Sequence, residues 1–136
     1  VNTAHVFHSC GNIADINVYY FNTSNVTNMA EMFRTGGRVK SITLGPNFDT
    51  SNVTNMSSMF RGVGANSKYF NLDVGSFDTS KVTDMSFMFE ECGYSNPSFT
   101  LDVSNFDTSN VKNMKGMFEN CSRLSTPRTQ SCESFP

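Results

Sequence analysis

Apolar residues recur along this chain in fixed columns rather than in one continuous rhythm. Four segments, 21–33, 48–60, 77–89 and 106–118, share the order Phe-(Asn/Asp)-Thr-Ser-x-Val-x-(Asn/Asp)-Met-x-x-Met-Phe. Within one copy, Val53, Met56, Met59 and Phe60 fall at i, i+3, i+6 and i+7, the spacing of one helix face. Thr50 or Ser51 stands ahead as an N-cap whose side-chain oxygen can accept a free backbone N–H. Upstream, Phe70, Leu72 and Val74 alternate with polar residues, as do Phe99, Leu101 and Val103, the period of a half-buried strand. The pattern therefore predicts an α/β repeat: one short parallel strand and one short helix per unit of about 26–29 residues, stacked as a solenoid.

A two-turn helix and a lone strand are each marginal, so stacking is what would stabilise them. The Phe and Met columns would fill the space between layers. All 8 Met residues belong to the pattern, Met29, Met56, Met85 and Met114 in one column and Met32, Met59, Met88 and Met117 in the other. An earlier degenerate copy ends at Val6-Phe7-His8-Ser9-Cys10-Gly11, matching Met88-Phe89-Glu90-Glu91-Cys92-Gly93. The expected organisation is four to five repeats over residues 1–124, with boundaries near 1–20, 21–47, 48–76, 77–105 and 106–124. Residues 125–136 break the pattern and read as a C-terminal cap or extended tail. Because Val1 lies inside an incomplete unit, the expectation is a processed, excised or partial chain.

The run Phe48-Asp-Thr-Ser-Asn-Val-Thr-Asn-Met-Ser-Ser-Met-Phe60 resembles the repeat of BspA-like bacterial surface proteins, a leucine-rich-repeat-like family. That resemblance implies surface-exposed arrays associated with adhesion to host molecules or other cells. Low Leu content and the insertions after Phe60 and Phe89 depart from the family pattern and mark places for ligand-specific loops.

Composition narrows the function classes. With 10 basic and 12 acidic residues in 136 and no basic cluster, nucleic acid is not an expected partner. No apolar run approaches the roughly 18 residues that cross a bilayer. A surface of low charge, rich in hydroxyls and amides, points to an extracellular or cell-surface setting, with an organelle lumen as the alternative. The leading reading is a non-enzymatic adhesion or interaction module for a protein or glycan. The alternative is a structural subunit docked on neighbouring subunits of a larger assembly, and a third is an ice-binding array based on Thr23, Thr50, Thr79 and Thr108.

Candidate binding residues are Tyr19 and Tyr20 on the strand face and Lys68, Tyr69, Tyr94 and Phe99 near the longer loops. Cys92 and Cys121 hold the same position one unit apart, compatible with a disulfide; Cys121 with Cys132 is the other pairing, and two buried thiols the plain reading. The column Asn22, Asp49, Asp78 and Asp107 is expected to shape turns rather than hold calcium. His5, His8 and Cys10 complete no four-ligand set of ordinary spacing, and His5 and His8 are expected as exposed positions flanking Phe7. No catalytic constellation and no cofactor motif emerges, so no enzyme is expected.

Overall fold

The structure is a computed structural model that describes residues 1–35 and 37–121. Among these residues there is no helix, and the only regular strands are β1, Asp15–Val18, and β2, Ser41–Leu44. They pair in parallel with Asp15 opposite Ser41 and Val18 opposite Leu44. The expected α/β solenoid with a helix and a strand in every unit is therefore wrong. The described residues form mostly turns and coil.

Its units nonetheless lie one on another. Single parallel bridges link Asn2 to Asn28, Asn28 to Asn55, Asn55 to Asp84 and Asp84 to Asn113. The Met-x-x-Met-Phe stretch shows what replaces the helix. The N–H groups of Met56, Ser58, Phe60 and Gly62 donate to the carbonyls of Asp84, Ser86, Met88 and Glu90 in the next unit, at 2.8–3.0 Å. The intervening N–H groups of Met59, Arg61 and Val63 close local turns on Met56, Ser58 and Phe60 at 3.2 Å. Every backbone donor from Met56 to Val63 except that of Ser57 is thus accounted for, and Ser57 N–H finds the Asn55 side chain at 2.9 Å.

This alternation needs left-handed backbone at fixed places. Glu31, Ser58, Phe87 and Gly116 share one such position, with φ of 56°, 54°, 56° and 62°. Left-handed non-Gly residues cost about 1–2 kcal/mol each. A two-turn helix would leave eight terminal backbone groups without intrahelical partners, whereas here successive units satisfy them. The i, i+3 apolar spacing is common to both structures, because each local turn also advances three residues.

Side chains follow the same stacking. All eight Met of the two columns are buried, as are Val53, Val82 and Val111. The rings of Phe7, Phe33, Phe60, Phe89 and Phe118 form one pile, with successive centroids 5.5–5.8 Å apart and planes within 10°. Phe48, Phe77 and Phe106 form a second pile beside it. Phe70, Leu72 and Val74 point inward with polar residues between them, as do Phe99, Leu101 and Val103. Their alternation is kept without the regular strand that the pattern predicts.

The Asx and Thr columns are structural. Asp49, Asp78 and Asp107 each accept the N–H two residues on, as Asn22 does. Thr23, Thr50 and Thr79 are buried, and each hydroxyl bridges to the next unit, donating to the carbonyl of Asp49, Asp78 or Asp107 and accepting that residue's N–H. These three hydroxyls are spent inside the molecule.

Candidate functional site

The longer loops place two aromatic side chains in solvent. Tyr69 is 81% exposed and Tyr94 51%, and Lys68 is exposed beside Tyr69. A shallow groove runs past Lys68 and Tyr69 to Asn71, Pro97, Ser98 and Thr100. It exists because Gly64 and Gly93, both left-handed, let each loop fold back over a core ring, Phe70 and Phe99 respectively. Asn96 is buried and donates to the Phe70 carbonyl at 2.7 Å, tying one loop to the unit before it. Phe99 is a correction: only 2% exposed and stacked on Phe70 at 5.8 Å, it belongs to the core and offers no contact surface. Its place in the inward phase of the alternation is the signal that identifies it.

Tyr19 and Tyr20 are both exposed and meet edge to face at 5.1 Å, just after β1. The Asn17 side chain accepts the Tyr19 N–H at 2.9 Å and fixes that turn. A second groove is lined by Thr35, Gly62, Ala65, Glu91 and Tyr94. Thr35 lines it, and the Thr35 hydroxyl is buried without a hydrogen-bond partner.

Cys92 is a buried free thiol, pushed well above the ordinary thiol range by burial and then by neighbouring Cys121. The Cys121 sulfur contacts the Phe89 carbonyl and lies 3.5 Å from the Cys92 carbonyl oxygen. The Cys121–Cys132 pairing falls outside the described residues, as does the tail, residues 125–136.

One cluster was not visible in the sequence. The turn from His5 to His8, closed by His8 N–H on the His5 carbonyl at 3.1 Å, sets the two imidazoles 5.7 Å apart. The inter-unit bond from His5 N–H to the Ala30 carbonyl then brings Glu31 alongside. Glu31 Oε2 lies 3.4 Å from His5 Nδ1, 3.4 Å from His8 Nε2 and 2.8 Å from Arg34 Nη1. Partial burial raises the Glu31 carboxyl, but Arg34, and after it His5 and His8, outweigh this and hold it below its usual range. Cys10, the expected neighbour of the two histidines, is not in the cluster among the described residues.

No helix among the described residues is long and apolar enough to cross a membrane. No curated protein and no solved structure matches the chain. The sequence profile described as "Mycoplasma protein of unknown function, DUF285" covers residues 1–131, and the chain belongs to that family.

Proposed function

We propose that this chain is a non-enzymatic interaction module that presents its longer loops to a protein or glycan partner at a cell surface or after secretion. The observation that carries the reading is Tyr69, a large aromatic ring almost wholly in solvent beside Lys68 and at the edge of a groove. Its neighbours Asn71, Ser98 and Thr100 supply amide and hydroxyl groups. An exposed ring flanked by such groups suits stacking on an apolar or sugar surface with hydrogen bonds at the rim. The rigid support comes from the core rings Phe70 and Phe99 directly beneath the loops. The cell-surface setting is the one that the likeness to BspA-like repeats implies.

The test is binding of the purified chain to glycan arrays and to surface-protein extracts, repeated with Tyr69→Ala and with a Tyr69→Ala, Tyr94→Ala double variant. Both tyrosines are exposed, so the variants should fold as the parent does. The reading expects at least about a tenfold loss of affinity in the double variant. Unchanged affinity would remove these loops from the binding surface. A chain that binds nothing alone and dissolves only with other subunits would favour a structural role in an assembly.

A further inference from the structure

We infer that His5, His8 and Glu31 form a binding site for a divalent first-row metal ion of the zinc class. The three side chains each offer one ligand atom, and these atoms lie within 4.8 Å of one another. Two imidazole nitrogens and a carboxylate oxygen are a donor set that suits zinc and its neighbours.

The two histidine–carboxylate distances suit ligands of one shared ion. Both histidine nitrogens stand 3.4 Å from the same oxygen, Glu31 Oε2. That is longer than the 2.7–3.2 Å usual for an N–H···O hydrogen bond. A tetrahedral ion with bonds of about 2.0–2.2 Å separates its ligand atoms by about 3.4 Å. His5 and His8 are exposed, so the fourth position opens to water.

The surroundings set up the ligands in advance. The Ser9 hydroxyl lies 2.8 Å from His8 Nδ1. With Nδ1–H donating to that oxygen, the lone pair sits on Nε2, the atom facing Glu31. The backbone is fixed by three inter-unit bonds, His5 to Ala30, Phe7 to Met32 and Ser9 to Arg34, at 2.8–3.1 Å. Arg34 is the one opposing element: its guanidinium holds Glu31 Oε2 and occupies the cationic side of the cluster. Its side chain is 37% exposed, and the metal and Arg34 would compete for one carboxylate. This competition is itself a signature.

The experiment is calorimetric titration of zinc into the untagged full chain, with His ring signals followed by NMR. The expected result is one saturable site that shifts the His5 and His8 resonances. His8→Ala and Glu31→Gln should each weaken binding at least about a hundredfold, and Ser9→Ala about tenfold. Arg34→Gln should tighten it severalfold, by freeing Glu31 and removing a nearby positive charge. Zinc-free melting curves of the His8→Ala and Glu31→Gln variants verify that they are folded. Absence of saturable zinc binding overturns the assignment. So does binding that survives both His8→Ala and Glu31→Gln, or that is lost in Cys10→Ser and kept in His8→Ala.

Discussion

The Thr50 hydroxyl serves both backbone groups of Asp78, donating to its carbonyl at 3.0 Å and accepting its N–H at 2.9 Å. A side chain here does what an adjacent strand would do, and Thr23 and Thr79 repeat it in the flanking units. Thr50→Val keeps the shape and removes both bonds. Because the site is buried, the variant should lose about 1–3 kcal/mol in denaturant unfolding. Thr50→Ser, which restores the hydroxyl, should recover most of that. Equal stability for Thr50→Val and the parent would mean that the units are not clamped at this point.

Met85 is fully buried in the column between Met56 and Met114. Met85→Asp would place a charge there with no partner. The expected loss is at least about 3 kcal/mol, enough to unfold a marginal chain at room temperature. Far-UV circular dichroism and thermal melting check it; an unchanged melting temperature would contradict the buried Met columns.

Gly93 combines φ of +63° with Phe99 directly over it, so an added Cβ would stand 2.5 Å from the ring's Cγ. Gly93→Ala should therefore cost more than the roughly 1–2 kcal/mol of left-handed strain alone. The loop carrying Tyr94 should also become accessible to protease. A variant as stable and as resistant as the parent would show that this loop does not fold back on Phe99.

Acid should loosen the turns. The Ser80 hydroxyl and then its N–H hold the Asp78 carboxyl below the usual range, and the Ser109 side chain and N–H do the same for Asp107. A carboxyl depressed in the folded state contributes stability that is whole above its unfolded pKa of about 3.9, and that is lost as pH falls through the folded value. The melting temperature should hold above about pH 5 and drop below about pH 4. Asp78→Asn should reduce that drop; an identical acid profile would show that Asp78 is not engaged.

The sequence columns reveal more about burial than about backbone. Met56, Met59 and Phe60 are buried as their repetition demands, and Asp49 and Asp78 shape turns as their place before Ser51 and Ser80 suggests. What the spacing of Val53, Met56 and Met59 does not decide is helix against tight turns, since a turn closed between residues i and i+3 also sets Met56 and Met59 on the buried side. The choice rests on hydrogen bonds to residues 26–29 positions away, and on left-handed φ at Glu31, Ser58 and Phe87, none of them a residue that advertises it. Glu31 was missed beside His5 and His8 for the same reason. Only the register between units brings them together, whereas a search for local ligand spacing stops at Cys10.

The central claim is that the Met-x-x-Met-Phe segments bond between units instead of coiling on themselves, and hydrogen-bond scalar couplings read this directly. In the labelled chain, the Phe60 N–H should couple to the Met88 carbonyl, 2.9 Å away by nitrogen–oxygen distance. Coupling of Phe60 N–H to the Met56 carbonyl, with helical carbon shifts through residues 53–60, would contradict it.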